Sequence, residues 1–397
     1  MKKSLIALAA LAAAGGAFAQ SSVTLFGVVD LAYERVTTNA GRISGLSPSA
    51  NSSSRLGFRG VEDLGGGMSA SFWLEGALAP MNGSSSSGTS QNNQTTTIAA
   101  GGLTFNRRST VSLSGGFGEL RIGRDYTPTF WNYTIYDPFG TNSIGATLGG
   151  YVGAGSAATF VRASNSVGYF LPANMGGFFG QAMYAMGNRA STEATARSAV
   201  FGTTPVNTES NGRYVGLRFG YGQGPINTAI AYGRTTYASG TNAASLLGGA
   251  AIATGNFTDF NWGGSYTFGS IKAMAQLYRQ KLDDAVALGN TVTNRGWGLG
   301  MDWGVGAGDV LVSYSRVSVR NYAVATPDMT ASKLAVGYVH NLSKRTAVYA
   351  YFSHVGNSGG AAQTAASFSS GAIGAVAGAA NVNGGSSGWD FGLRHAF

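Results

Sequence analysis

The C-terminal segment of the chain alternates strictly between two kinds of side chain. The larger ones are Trp389, Phe391, Leu393, His395 and Phe397, and the residues between them are Asp390, Gly392, Arg394 and Ala396. A period of two places successive side chains on opposite faces of a β-strand. One face of this strand is therefore an aromatic and apolar stripe, and the chain ends on it.

The same alternation recurs in earlier segments. Between residues 23 and 34 both carboxylates, Asp30 and Glu34, fall on one face, and the other face carries no charge. Two later segments have apolar faces formed by Phe260, Trp262, Gly264, Tyr266 and Phe268 and by Trp297, Leu299, Met301 and Trp303. Such faces are apolar enough to contact lipid, as in the strands of membrane barrels.

The charge content supports this interpretation. Charged residues make up 11% of the 397 residues, whereas a soluble globular domain usually carries about 25%. A surface that faces lipid must exclude charge. The 44% apolar content argues against a disordered chain. After residue 20 no uncharged apolar stretch is long enough for a membrane helix, so a closed β-barrel is the spanning structure that remains.

The connections between the alternating segments are of two lengths. Short turns cover residues 63–67, 115–118, 222–225 and 341–345, and the long stretches cover 79–102, 127–159, 188–211, 237–255, 282–294, 321–329 and 357–386. This alternation predicts eight short-turn hairpins, hence about 16 strands of roughly 10 residues with the long loops at one end. A soluble β-solenoid would show a fixed short repeat, which we do not find.

The first 19 residues predict a secretory signal peptide. Lys2 and Lys3 form a positive start, residues 5–16 are an apolar core, and residues 17–19 spell the cleavage signal Ala-Phe-Ala. The apolar run is shorter than the roughly 20 residues that span a bilayer, which disfavours an uncleaved anchor. We expect a mature barrel of residues 20–397. Its net charge would be +7, because 24 Lys and Arg would remain against 17 Asp and Glu.

Six segments in order resemble the Gram-negative general porin family, in its neisserial and β-proteobacterial branch. They are SVTLFGVVDLAYE (22–34), SRLGFRGVEDLGGGMSASFWLE (54–75), FNRRSTVSLSGGFGELRIGRDYTP (105–128), RASNSVGYFLP (162–172), NLSKRTAVYAYFSHV (341–355) and GLRHAF (392–397). The resemblance implies an all-β, 16-stranded antiparallel transmembrane barrel with short periplasmic turns, long extracellular loops and a third loop folded into the pore. A barrel of this strand number is also too wide for side chains to fill.

The resemblance further implies where the protein resides and what it meets. It implies a homotrimer in the Gram-negative outer membrane, exported through the cleaved signal peptide and surrounded by outer-membrane lipids and lipopolysaccharide. The terminal Phe397 is similar to the aromatic residue that the barrel assembly machinery reads in this family. A buried terminal anchor is the alternative role for this residue.

The resemblance also points to a pore constriction. By motif position Arg55, Arg124 and Arg162 resemble the family's basic cluster, and the third long loop carries only one charge, Asp137. Alternation places Arg124 with Leu120 and Ile122, so a bulge or strand end is needed if Arg124 rather than Arg121 lines the pore. A salt bridge in a loop or subunit interface is the alternative role for each arginine.

The expected function is passive diffusion of small hydrophilic solutes and ions, with a preference for anions. A substrate-selective channel or an adhesin-like barrel is the alternative. The Gly384–Gly388 stretch spells G-x-S-x-G but lies in a low-complexity loop, which argues against an enzyme. Asp283 and Asp284 have no clustered metal ligands near them in sequence, so we expect no metal and no cofactor. Scattered arginines without a stacking module argue against nucleic acid.

Overall fold

The computed structural model describes residues 22–85, 102–150, 159–187, 212–240, 252–284, 291–321, 328–366 and 381–397. Nearly all of its regular structure is antiparallel β-sheet. None of the described helices is long and apolar enough to cross a membrane. The strands are β1 Ser22–Thr38, β2 Gly41–Pro48, β3 Arg55–Gly65, β4 Met68–Ala79, β5 Ser84–Ser85, β6 Arg108–Gly115, β7 Gly118–Tyr126, β8 Arg162–Phe170, β9 Phe178–Ala185, β10 Tyr214–Gln223, β11 Ile226–Gly240, β12 Ile252–Phe268, β13 Ile271–Asp284, β14 Thr291–Val305, β15 Gly308–Asn321, β16 Met329–Asn341, β17 Thr346–Ser358 and β18 Gly385–Ala396, and the helix α1 is Pro128–Ile135.

The wall of the barrel has sixteen strands, although eighteen strand segments are described. β1 pairs with β2 along its second half and with β3 along its first half, so β2 and β3 form one interrupted strand. Residues 49–54 leave the wall between them. The two-residue β5 pairs only with the end of β4, within a loop. The prediction of a 16-stranded antiparallel barrel is therefore confirmed.

The strands meet in a meander whose two ends differ. Seven short connections lie at one end, all of them within the described residues, and the long connections lie at the other end together with the two-residue turn between β1 and β2. The predicted eighth short hairpin is instead the seam where the two ends of the barrel sheet meet.

The seam between β1 and β18 closes the barrel. The pairing runs from Val28 opposite Ala396 to Thr38 opposite Ser386. It is extended by two backbone hydrogen bonds between Gly27 and Phe397, at 3.1 and 3.0 Å. Closure leaves no free sheet edge, which is the condition for a sheet to lie in lipid.

The outer face carries the stripes predicted from the alternation. Trp389, Phe391 and Leu393 of the last strand are 47%, 55% and 52% exposed, and Phe397 is exposed as well. The inner face is polar by comparison, and the two carboxylates of the first strand, Asp30 and Glu34, are fully buried there. The faces are thus divided as a lipid-facing barrel requires.

The third long loop folds into the barrel, as predicted. It begins with α1, which packs against the inner sides of β10, β11 and β12. Phe130, Tyr133 and Leu148 of this loop share one buried apolar cluster with wall residues such as Tyr278 and Val317. Burying these side chains holds the loop inside the lumen, because apolar surface removed from water contributes about 25 cal/mol per Å².

Gly27 is needed at the seam because a side chain there has no room. A Cβ atom would lie 2.8 Å from the carbonyl oxygen of Arg55 and would collide with the ring of Phe397. We expect Gly27→Ala to lower the temperature at which the folded barrel unfolds, at a cost of about 1–3 kcal/mol for the forced shift. Heat-dependent migration of the purified protein in electrophoresis measures this.

Gly356→Ala is the matched control for that substitution. A Cβ atom on this strand glycine meets nothing closer than the hydroxyl of Ser332, at 3.7 Å. The unfolding temperature of this variant should equal that of the wild type. Equal unfolding temperatures for all three proteins would show that the seam tolerates a side chain at Gly27.

Candidate functional site

The first half of the third loop is anchored to the inner wall by hydrogen bonds. The Asn132 amide donates to the side-chain oxygen of Asn261 at 2.8 Å and accepts a hydrogen bond from Arg218 Nε at 2.8 Å. The Tyr133 hydroxyl donates to Asp259 at 2.9 Å and accepts from Gln280 at 2.9 Å. These contacts satisfy polar groups of β10, β12 and β13 that would otherwise be buried without partners.

The second half of the loop continues around the wall. Leu148 N–H donates to the Ser315 hydroxyl at 3.1 Å, and the Ser313 hydroxyl donates to the Gly145 carbonyl at 3.0 Å. Ile144 N–H donates to Asp390 on β18 at 3.2 Å. These hydrogen bonds place the loop against β10–β15 and β18, and none of those described here reaches the inner faces of β3, β4, β6 and β7.

Asp137, the single charge of the predicted third loop, is 3% exposed. Its carboxylate accepts hydrogen bonds from the Phe139 N–H at 2.9 Å and from the Thr147 N–H and hydroxyl at 2.8 and 2.9 Å. Burial raises the pKa of Asp137, against the opposing effects of these hydrogen bonds and of Lys333. The hydrogen bonds of Asp137 thereby connect the part of the loop at Phe139 to the part at Thr147.

A tyrosine hydroxyl joins two arginines on the opposite wall. Tyr126 OH accepts hydrogen bonds from Arg107 at 2.9 Å and from Arg162 at 2.7 Å. The guanidinium of Arg162 also lies 4.3 Å from the centre of the Tyr126 ring, within cation–π range. The Tyr126 ring in turn stacks on Phe130 and packs against Trp131 of α1. The two arginines are thus held beside α1, the first part of the third loop.

One carboxylate completes this network. Arg107 forms an ion pair with Glu75 at 2.5 Å. Arg55 lies within electrostatic range of both Glu75 and Arg107. We name the set Arg55, Glu75, Arg107, Tyr126 and Arg162 the arginine–tyrosine network. It has three positive charges and one negative charge.

Further arginines line the same inner wall. Arg121 pairs with Glu119 at 2.9 Å and with Asp125 at 2.5 Å, and Arg108 lies 3.8 Å from Asp125. Arg59 lies over the ring of Trp73. Together with the network, these side chains comprise six arginines and three carboxylates, which gives the set a net charge of +3. Arginine keeps its charge in confined surroundings, so the excess persists across the physiological pH range.

The structure places the two candidate arginines of β7 differently. Arg121 is on the lumen side of the strand, where it forms ion pairs with Glu119 and Asp125. Arg124 lies opposite Ser109 in the β6–β7 register and donates to the Asn106 carbonyl at 2.7 Å and to the Ser164 hydroxyl at 2.8 Å. A register shift between β7 and β8 falls beside it, between Gly123 and Asp125. An irregularity of the kind that an inward-facing Arg124 would need is therefore present, and whether Arg124 lines the pore stays a prediction.

The sequence reasoning missed Arg107, Glu75 and Tyr126. Arg107 and Arg108 are neighbours, and strict alternation allows only one of them to face the lumen. Both do so because Arg107 precedes the first residue of β6, where the pleat no longer fixes its direction. The available signal was the acidic Glu75 on the same face as Trp73 and Ser71, since an inward carboxylate needs a nearby cation.

The fold and this charged wall define a water-filled channel protein, and the chain belongs to the Gram-negative porin family, whose pattern matches residues 5–360. It is 38% identical to outer membrane porin protein 32 of Delftia acidovorans over the full length of both chains. It is 35% identical to the major outer membrane protein P.IB of Neisseria meningitidis over 31% of this chain and 34% of that one. The resemblance found in the sequence is therefore confirmed.

Solved structures agree with the fold. The anion-selective porin from Comamonas acidovorans superposes with a TM-score of 0.73, at 32% identity and covering 95% of this chain and 100% of that one. Outer-membrane expressed OmpT of Vibrio cholerae superposes with a TM-score of 0.62, at 15% identity and covering 95% of this chain and 98% of that one. The second likeness concerns the fold alone.

The different settings of Glu75 and Asp137 predict different effects of neutralising them. Glu75→Gln removes the only carboxylate of the arginine–tyrosine network. We therefore expect the zero-current potential across a salt gradient to show a stronger preference for anions over cations. Asp137→Asn cannot accept hydrogen bonds with both side-chain atoms, so it should instead increase current noise by loosening the loop. Planar-bilayer recordings of both variants at low salt measure these effects. A larger selectivity shift for Asp137→Asn than for Glu75→Gln would contradict this assignment.

Proposed function

We propose that this porin is a general diffusion channel of the outer membrane with a preference for anions. The observation that carries the preference is the arginine–tyrosine network, which together with the neighbouring arginines and carboxylates of β3, β6 and β7 named above has a net charge of +3. The facing loop supplies one acid in its described residues 127–150 and 159–161, Asp137, and its carboxylate is buried in internal hydrogen bonds. Solutes would move down their own gradients, filtered by size and charge.

The size of the electrostatic effect is sufficient for this proposal. At about 8 Å and an effective dielectric constant of about 40, one fixed charge changes the energy of a monovalent ion by roughly 1 kcal/mol, about fivefold in occupancy. An excess of three charges would therefore produce a clear preference at low salt. Screening shortens the range of the interaction to about 8 Å at physiological ionic strength, so the preference should decline as salt rises.

We also propose the homotrimer that the sequence predicts. The strands β6–β9 are 8 or 9 residues long, whereas β11–β17 have 13 to 17 residues. We call the side formed by the short strands β6–β9 the low wall and the side formed by the long strands β11–β17 the tall wall. The low wall has exposed outward residues such as Val111 and Ile122. Contact between copies along this side would cover it, while the tall wall would face lipids and lipopolysaccharide. Cleavage of the signal peptide, which lies outside the described residues, remains part of the proposal.

Charge reversal tests the proposed anion preference. Arg55→Glu and Arg162→Glu each change the local charge by two units, which by the same estimate changes the energy of a monovalent ion by about 2 kcal/mol. Each variant should therefore shift the zero-current potential in the direction of greater cation permeability. Arg107→Glu should act in the same direction while also breaking the pair with Glu75. The measurement is the zero-current potential of a tenfold chloride gradient at low salt.

Two further variants complete that experiment. Arg35→Glu, on the outer face of β1, is the matched control and should leave the potential unchanged. Arg124→Glu decides between two positions: a shift as large as that of Arg162→Glu would place Arg124 in the constriction, and a much smaller one would agree with its ties to Asn106 and Ser164. Unchanged potentials for both Arg55→Glu and Arg162→Glu would refute the assigned constriction.

Phe397 combines an exposed aromatic ring with the backbone hydrogen bonds that extend the seam. We propose that it is the assembly signal, and we expect its deletion to lower the amount of folded trimer in the outer membrane severalfold. Electrophoresis of unboiled samples measures this, since the trimer should migrate near three times the mature mass. Once assembled, the variant should keep the conductance of the wild type. Normal trimer amounts at wild-type expression would contradict the proposed role.

A further inference from the structure

Three arginines lie together on the outer face of the tall wall. Arg279 of β13 is directly opposite Arg295 of β14. Arg316 of β15 is opposite Trp297, and Arg295 is opposite Ser318, so Arg316 lies diagonally from Arg295. All three side chains are exposed. We name them the outer arginine patch.

The positive charge of this patch is not balanced by the described part of the chain. Arg279 and Arg295 are like charges at directly opposed positions, an arrangement that destabilises a sheet. The nearby carboxylates pair with other cations: Asp283 with Lys281 at 2.9 Å and Asp328 with Arg320 at 3.8 Å. None of the ion pairs among the described residues involves the patch. An anion bound between these guanidinium groups would remove the repulsion.

The patch borders a groove with an apolar floor. The groove has a volume of about 460 Å³ and is lined by the three arginines together with Phe260, Leu277 and Trp297. Phe260 and Leu277 are 52% and 55% exposed. Cationic heads above an apolar surface suit a ligand that has an anionic group and a hydrocarbon chain.

The patch also lies at the level where such a ligand is found. Arg295 is eight residues along β14 from Trp303, which lies beside the short turn that follows the strand. At about 3.3 Å per residue and a tilt of about 40°, this places Arg295 roughly 20 Å above Trp303. The apolar band of an outer-membrane barrel is about 25 Å tall. The arginines therefore lie near the boundary between acyl chains and head groups on the long-loop side.

We propose that the outer arginine patch binds the phosphate groups of a phosphorylated lipid of the outer leaflet, with an acyl chain of that lipid on the apolar floor. Arginine suits this role because its planar guanidinium donates two parallel hydrogen bonds to phosphate oxygens. The inference rests on the proposed location in the outer membrane and is independent of anion preference in the pore. A second copy of the chain that presents the same face is a less suitable occupant, because arginines would meet arginines and the groove lining contains no acid.

The test compares two triple variants of the full-length protein with the wild type. The first carries Arg279→Gln, Arg295→Gln and Arg316→Gln. The matched control carries Arg35→Gln, Arg213→Gln and Arg234→Gln, which removes three exposed arginines that do not line the groove. Each detergent-purified protein is titrated with a bisphosphorylated acylated disaccharide lipid, with the same lipid lacking phosphates, and with inorganic phosphate. Native mass spectrometry counts the bound lipids.

We expect the wild type and the control to bind the phosphorylated lipid at least tenfold more tightly than the phosphate-free lipid. The patch variant should lose at least tenfold in affinity for the phosphorylated lipid alone. Equal affinity of the patch variant and the wild type would overturn the proposal, as would equal binding of the two lipids by the wild type. Displacement of the lipid by an equal concentration of inorganic phosphate would assign the patch to a free anion instead.

Two additional readouts keep the test decisive. Loss of the oligomer in the patch variant alone would assign the face to a contact between copies and overturn lipid binding. If the patch variant fails to fold, Arg295→Gln and the wild-type comparison of the two lipids decide the question. Conductance and ion selectivity in planar bilayers should be unchanged in the patch variant, so a failure of lipid binding is distinguishable from a failure of the proposed channel function.

Discussion

The structure depends on closing a sheet so that no backbone group is left without a hydrogen bond. In lipid an unpaired N–H or C=O costs several kcal/mol, which an open sheet edge would multiply along its length. The seam between β1 and β18 removes that cost, and Gly27 lets the backbone continue to the last residue, Phe397. Once the sheet is closed, one face of every strand is directed at lipid and the other face is directed at the lumen.

The lumen of a barrel this wide would be filled by water unless chain enters it. The third loop does so by combining apolar burial with hydrogen bonds to the wall, in which Asn132 and Tyr133 are central. Its position leaves one side of the lumen free, and the arginine–tyrosine network lies on that side. The loop therefore determines which charges of the wall remain uncovered, because it covers one part of the wall and leaves another exposed.

The strand arrangement could be derived from residues whose alternation is strict, such as Trp389 to Phe397. Period two is enforced by backbone geometry within each strand and requires no knowledge of neighbours. The site was less accessible. Arg55 and Arg162 were proposed from motif position, and their place in a constriction stays a prediction. Arg107 was missed because it precedes β6, and the contacts of Asp137 depend on Thr147, ten residues away. Pairing partners at strand ends and inside loops are set by three-dimensional contact, which alternation does not encode.

By itself the sequence determined that the chain forms a barrel with an apolar exterior and a charge-bearing interior, since hydrophobic alternation and the lack of an apolar helix leave no other way to span a membrane. It also determined the excess of arginine over acidic residues. Only the tertiary structure decided which arginines stand alone and which are neutralised. That outcome depends on register, on the shift beside Gly123 and on the docking of the third loop, because ion pairs form between side chains within about 4 Å regardless of their distance along the chain.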